Sequence, residues 1–112
     1  MLAKQITFLR PQKFLENGAP VSPAQHAAAT HTVLVGSPTG AANAYTVPPA
    51  LVPAGTGPVA VPFAALGFAP TAGVTYTVQV VTTIDGVDSE VSKPVTFTNS
   101  FTPAAPEAVS IS

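Results

Sequence analysis

The chain has 112 residues, a formal net charge of −1 and no cysteine, and only 8% of its residues are charged. This length fits one domain, the absence of cysteine excludes disulfides and thiolate metal sites, and the near-zero charge disfavours nucleic-acid binding. No Asp, Glu, Lys or Arg lies between Glu16 and Asp85, which predicts a surface that packs against other proteins instead of facing solvent alone.

Three of the four basic residues lie within residues 1–24, among scattered apolar ones. These charges interrupt every apolar stretch, so no signal peptide core is expected there. The chain also has no span of about 20 apolar residues, so no membrane helix is expected.

Two interpretations of residues 1–24 remain open. Ile6 and Phe8 belong to the first strand of the domain's own sheet, or the region is an arm that anchors the domain to a partner. The candidate partner-binding residues are Lys4, Phe8, Arg10, Lys13 and Phe14.

Prolines and glycines divide the middle of the chain into short runs of Val, Thr, Tyr and Phe, the pattern of an all-β sandwich or barrel. The strand over residues 75–83 is the clearest. There, Tyr76, Val78 and Val80 recur at the two-residue period of a pleated strand, so they are expected to face the core. Further strands are predicted over residues 30–35, 44–47, 59–66 and 90–98, and a proline-rich loop or extended edge over 48–53.

The Asp-Gly pair at residues 85–86 predicts a hairpin turn before the last strand, because glycine tolerates a positive φ angle. Pro94 lies inside the returning strand and cannot donate to a central ladder, so a bulge or an edge is expected there. The tail at residues 103–112 is predicted to be extended by its prolines. Its last five residues alternate like a short strand of the kind that adds to a neighbour's sheet edge.

Few side chains carry recognisable chemistry. His26 and His31 are interpreted as ordinary turn or strand residues, because zinc sites need three or four ligands in defined spacings. Asp85, Asp88 and Glu90 are interpreted as a solvated hairpin tip, because no EF-hand pattern surrounds them. No nucleophile elbow, paired-carboxylate arrangement or phosphate loop is present, so neither an enzyme nor a cofactor is expected.

Residues 66–80 resemble the E–F corner and strand F of fibronectin type III and related immunoglobulin-like domains. In that family an apolar residue, a proline and a glycine precede a buried tyrosine whose hydroxyl bonds to the chain upstream, the tyrosine corner. The matching residues here are Phe68, Pro70, Gly73 and Tyr76. The tryptophan of the family's core is missing.

This resemblance implies an immunoglobulin-like (fibronectin type III-like) β-sandwich at residues 25–102. Residues 1–24 would then be an N-terminal arm or first strand, and residues 103–112 an extended C-terminal tail. Such modules serve as binding or spacer domains in many different proteins, so the fold alone does not define the function.

A chain that begins with methionine and lacks a signal peptide, yet is weakly charged and rich in Thr, Ala and Pro, looks like a bacteriophage virion component. Among those it resembles head decoration, or capsid cement, proteins. That resemblance implies a protein made in the host cytoplasm that ends on the capsid exterior, against the major capsid protein and neighbouring copies of itself. The alternative is an adhesion or spacer module of a phage tail, fibre or bacterial surface, which would recognise a glycan or host protein through its hairpin at 85–89.

Overall fold

The computed structural model describes residues 5–37, 40–98, 100, 103–106 and 110–111. Within this part, the chain is mostly strands in two antiparallel sheets with a few short helical turns, so the fold is all-β. The strands are β1 (Gln5–Phe8), β2 (Thr30–Ser37), β3 (Gly40–Thr46), β4 (Val59–Pro62), β5 (Thr75–Ile84), β6 (Val87–Asp88) and β7 (Val95–Thr98). The α-helices are α1 (Pro23–Ala28) and α2 (Phe63–Leu66), and a 3₁₀ turn spans Pro49–Leu51.

The larger sheet has the strand order β3-β2-β5-β6, and β7 pairs with another stretch of β5. The smaller sheet contains β1 and β4, with Ile6 opposite Val61 and Phe8 opposite Val59. Residues 5–8 are therefore a strand of the chain's own sheet, which is one of the two interpretations that the sequence left open.

Side chains from both sheets meet in one core. Along β5, the predicted alternation buries Tyr76 and Val78, while Val80 is partly buried in the layer packed around them. The remaining core residues are Val33 and Val35 from β2, Val59 and Val61 from β4, and Val47. Both sheets depend on this shared core, because neither could bury its apolar face alone.

The prediction of a strand over residues 59–66 is wrong for the second half of that range. The strand ends at Pro62, and one helical turn follows, closed by Gly67 with a φ angle of 74°. Phe63 starts that turn and is buried. A short apolar run does not distinguish a buried strand from a buried helical turn by periodicity, and a left-handed glycine is a common way to end a helix.

The strand predicted over residues 90–98 is regular only from Val95 onward. Before it, the backbone N–H groups of Ser89 and Ser92 donate to carbonyls of β5 at 2.8 and 3.0 Å. The hydroxyls of the same two serines accept hydrogen bonds from N–H groups of β5. Serine side chains thus replace backbone carbonyls in the ladder, and Pro94 stands directly before β7, where its missing N–H breaks no pairing.

The predicted hairpin turn forms at residues 85–86. Asp85 and Gly86 have φ angles of 52° and 76°, and a pair of left-handed residues is typical of the type I′ turn that suits the twist of two antiparallel strands. This turn connects β5 to the short β6.

The loop before β5 is held by Tyr76. Its ring is buried, and its hydroxyl accepts a hydrogen bond from the backbone N–H of Thr71 at 2.8 Å. The ring lies edge-on to Phe68, with 5.2 Å between the centroids, and Gly73 has a φ angle of 79°. The upstream hydrogen bond expected from the sequence pattern is therefore present.

Helix α1 is not among the predicted elements. Ser22 accepts a hydrogen bond from the Gln25 N–H at 3.1 Å, and the Gln25 side chain accepts one from the Ser22 N–H at 3.0 Å. This reciprocal capping box is visible in the sequence as serine followed three residues later by glutamine. The helix spans the boundary that the sequence suggested between residues 24 and 25.

Candidate protein-binding surface

The two sheets differ in width, and the difference leaves a cleft. Within the described residues, β1 is paired on one edge only, and β7 is paired only with β5. Two adjoining cavities lie on this side of the molecule and share Phe8, Val80 and Ser92 in their linings. The β6 and β7 side of the larger sheet is therefore incompletely covered by the smaller one.

The first cavity, which we call the loop pocket, lies between residues 9–16 and β6 and has a volume of about 430 Å³. Leu9, Leu15 and Val87 contribute to its lining and are 79%, 69% and 70% exposed. The charged residues in the lining are Lys13, Glu16, Asp88 and Glu90. The lining thus combines exposed apolar side chains with charged ones of both signs.

The second cavity, which we call the edge groove, runs along β1 and β7 and has a volume of about 290 Å³. Lys93 is the one charged residue in its described lining. The apolar lining residues are Ile6, Phe8, Phe63, Val78, Val80, Val95 and Phe97. This groove follows from alternation along β5, which directs Val78 and Val80 to the same face of the sheet.

Three of the five residues predicted to bind a partner line these cavities. Phe8 contributes to both, and Lys13 and Phe14 contribute to the loop pocket. Lys4 lies outside the described residues. The β6 and β7 side of the cleft is absent from the prediction, although Val87 and Val95, which lie among mostly polar residues, were a signal that could have revealed it.

Arg10 occupies a different position from Phe8, Lys13 and Phe14. Its side chain is 3% exposed, and its Nε and Nη1 atoms donate to the carbonyls of Gly57 at 2.9 Å and Pro53 at 3.0 Å. Gln12 donates to the Thr56 carbonyl at 3.2 Å, so all three hydrogen bonds reach residues 53–57, where the proline-rich loop continues toward β4. Arg10 therefore holds this loop within the chain's own fold, and we do not include Arg10 in the candidate protein-binding surface.

Arg10, His26 and His31 form a buried group of basic side chains, each at most 3% exposed. The Nδ1 atom of His31 lies 2.8 Å from the Thr82 Oγ1 atom, and its ring lies edge-on to Phe8. Burial lowers the pKa of His31, and the neighbouring Arg10 and His26 lower that pKa further. His31 is therefore held neutral at pH 7.

The interpretation of His31 as a strand residue is confirmed, and the interpretation of His26 is wrong. His26 belongs to helix α1 and not to a turn or strand, and both side chains are buried. His31 belongs to β2, where it shares the buried face with Val33 and Val35. The alternation of these residues was the sequence signal for a core-facing histidine.

Asp85, Asp88 and Glu90 are exposed at the hairpin. Asp88 accepts a hydrogen bond from the Thr83 hydroxyl at 2.6 Å, and Asp85 accepts one from Gln25 at 3.2 Å. Among the described residues, no group of three or more His, Asp or Glu side chains is placed to hold a metal ion.

No family model, curated protein or solved structure matches this chain significantly. Of the helices in the described part of the chain, none is long and apolar enough to cross a membrane. The cleft and the composition of the chain are therefore the two features that bear on its function.

Proposed function

We propose that this chain binds other proteins through the loop pocket and acts as a capsid decoration protein of a bacteriophage virion. In this role it binds the outer capsid surface and stabilises the head. The observation that carries the proposal is the cluster of exposed Leu9, Leu15 and Val87 around one pocket in a chain with 8% charged residues. Clustered apolar side chains on a surface mark interaction sites.

The energetics suit a protein that acts in many copies. Full burial of one leucine or valine side chain contributes about 1.5–3 kcal/mol, and association costs a large part of such gains. A few side chains per copy therefore give modest affinity. A protein that binds only the assembled shell still shifts the equilibrium toward it, and each added copy contributes to that shift.

The proposal includes an immunoglobulin-like sandwich of the fibronectin type III kind. Its support is the strand order, because β3-β2-β5 with β6 and β7 alongside corresponds to the C′-C-F-G sheet of such domains. The hydrogen bond between Thr71 and Tyr76 falls between β4 and β5, which correspond to strands E and F, where that family has its tyrosine corner.

The proposed partners are the major capsid protein and neighbouring copies of this chain, on the capsid exterior, after synthesis in the host cytoplasm. The composition supports this step. A surface with few charges is poorly suited to a freely diffusing small protein, because interspersed charge keeps such proteins apart. On an assembled lattice, the same surface is covered by its neighbours.

The first test is the copy number in the virion. Particles purified on a density gradient from the source lysate would be digested and quantified by mass spectrometry against the major capsid protein. A copy number comparable with that of the major capsid protein is expected. A handful of copies would favour the tail or fibre module, and absence from the particles would refute the virion assignment.

The second test concerns the loop pocket. Leu15→Asp and Val87→Asp each place a charge in its lining, and Val91→Asp is a matched control because Val91 is 49% exposed and absent from the described lining. In co-sedimentation with capsids that lack the protein, the first two variants should lose binding and the control should keep it. Equal binding by all three, with unchanged thermal unfolding, would refute the role of the loop pocket.

Point substitutions are needed because the N-terminal region cannot be removed cleanly. Deleting residues 1–15 would remove β1 and Arg10, and with them one strand of the smaller sheet and the two hydrogen bonds to the proline-rich loop. Loss of capsid binding after such a deletion would report unfolding as readily as a lost contact.

A further inference from the structure

The edge groove lies between two strand edges that have no partner among the described residues. β1 pairs with β4 on one side, and β7 pairs with β5 on one side. In a strand, alternate residues direct their N–H and C=O groups to opposite edges, so each unpaired edge offers hydrogen bonds to an incoming strand. Residues of both strands line the same groove.

The floor of the groove requires apolar side chains from its occupant. Ile6, Phe8 and Phe97 are partly buried against the core, and Val95 is 65% exposed at β7. The one charge in the described lining is the positive charge of Lys93. The groove is thus complementary to an extended segment with apolar residues on one face and a negative charge nearby.

The tail of this chain has that chemistry. Residues 103–106 and 110–111 are exposed and belong to no strand, and Ile111 is 100% exposed. In the sequence, Val109 and Ile111 alternate with small or polar residues and follow Glu107, the one charged residue of the tail. Residues 107–109 and 112 lie outside the described residues, so only their sequence enters this argument. A strand formed there would carry Val109 and Ile111 on one face.

The composition of the tail favours contact with another copy. Residues 103–106 are exposed and belong to no strand, and Pro103 and Pro106 favour an extended path. An extended tail meets a neighbour's groove at high local concentration when copies lie side by side.

We infer that the edge groove of one copy binds residues 108–112 of a second copy as an added strand beside β1. Ile111 and Val109 of the donor pack on the apolar floor, and Glu107 lies near Lys93 of the acceptor. Donor and acceptor surfaces differ, so the contact is head-to-tail and repeats from copy to copy. The inference deepens the proposed function, because it supplies the contact between neighbouring copies.

The test measures self-association in solution, with no capsid present. Sedimentation velocity of the full chain from about 10 µM to 1 mM covers the affinity range expected of so short a strand. Ile111→Asp alters the donor and Val95→Asp alters the acceptor, and both positions are exposed. Ala104→Asp and Val91→Asp are the matched controls in the same two regions. We expect each altered surface to weaken self-association at least tenfold and the controls to leave it unchanged.

A mixture of the two variants gives the sharper result. The Ile111→Asp chain keeps an intact groove and the Val95→Asp chain keeps an intact tail, so together they should form a one-to-one complex although neither associates strongly alone. A monomer at every concentration, or a mixture that fails to associate, would overturn the inference. Protection of the β1 amides that point away from β4 would also overturn it if it did not depend on concentration, because it would place the tail in its own groove.

This experiment separates the inference from the function on which it rests. A full chain that stays monomeric at every concentration and still binds capsids would overturn the tail contact alone. Capsid binding that survives Leu15→Asp and Val87→Asp would count against the loop pocket and leave the edge groove unaffected.

Discussion

Removing the hydroxyl of Tyr76 tests whether the loop before β5 is held by one hydrogen bond. Tyr76→Phe keeps the ring, so the contacts with Phe68 at 5.2 Å and Phe97 at 5.5 Å persist. What is lost is the hydrogen bond that the Tyr76 hydroxyl accepts from the Thr71 N–H at 2.8 Å. The Thr71 N–H then lacks its protein partner.

The expected cost follows from that single loss. One hydrogen bond contributes about 0.5–1.5 kcal/mol net, and an unsatisfied buried donor costs about 1–3 kcal/mol. The Thr71 end of this bond is partly open to water, so we expect the free energy of unfolding to fall by about 1 kcal/mol. For a domain of this size, that corresponds to a fall in Tm of roughly 4–8 °C.

Urea unfolding followed by tyrosine fluorescence or circular dichroism measures this change, and the slope with denaturant should stay constant. Tyr45→Phe is the control, because the Tyr45 ring also packs on Phe68, and no hydrogen bond of its hydroxyl is seen in the described part of the chain. Equal unfolding midpoints for the two variants would refute the reasoning. Amide exchange at Thr71 should accelerate in Tyr76→Phe only.

Three further substitutions probe the turn, the buried basic group and the loop anchor. Gly86→Ala should destabilise the fold by about 1–2 kcal/mol because its φ angle is 76°, whereas Gly57→Ala, which has open space and no positive φ, should change stability by less than about 0.5 kcal/mol. Equal effects in urea unfolding would contradict this. The pKa of His31 lies below its unfolded value of 6.5, so near that pH the unfolded state binds more protons than the folded state. The free energy of unfolding should therefore fall as the pH drops below about 6.5. Thermal unfolding between pH 7 and 5 should show a flatter dependence in His31→Gln, and an unchanged dependence would exclude His31 as its source. Arg10→Lys keeps the charge but loses the planar fork, so it should destabilise by about 1–3 kcal/mol. A urea midpoint equal to that of the wild type would show that the two carbonyl contacts contribute little.

Only part of the proposed protein-binding surface could be predicted from the sequence. Phe8, Lys13 and Phe14 stood out because they are aromatic or basic residues in a region that otherwise lacks a clear element. Arg10 looked the same in sequence, yet the fold buries it, because its guanidinium meets two carbonyls more than 40 residues away. No local pattern reveals such a partner.

The sequence by itself determined the features that depend on neighbouring residues. Alternation marked β5, and the Asp-Gly pair marked the hairpin turn. Both follow from side-chain direction or backbone φ angle, which a few consecutive residues define. The hydrogen bond of Tyr76 was expected only because residues 66–80 resemble the E–F corner of fibronectin type III domains.

Only the tertiary structure decided which strands pair and where the cleft opens. β1 pairs with β4 across more than 50 residues, and short apolar runs such as Phe63–Leu66 suit a strand or a helical turn about equally. The choice between them depends on the apolar area that the whole arrangement buries. For the same reason, the loop pocket and the edge groove appear only when two sheets of unequal width are packed on one core.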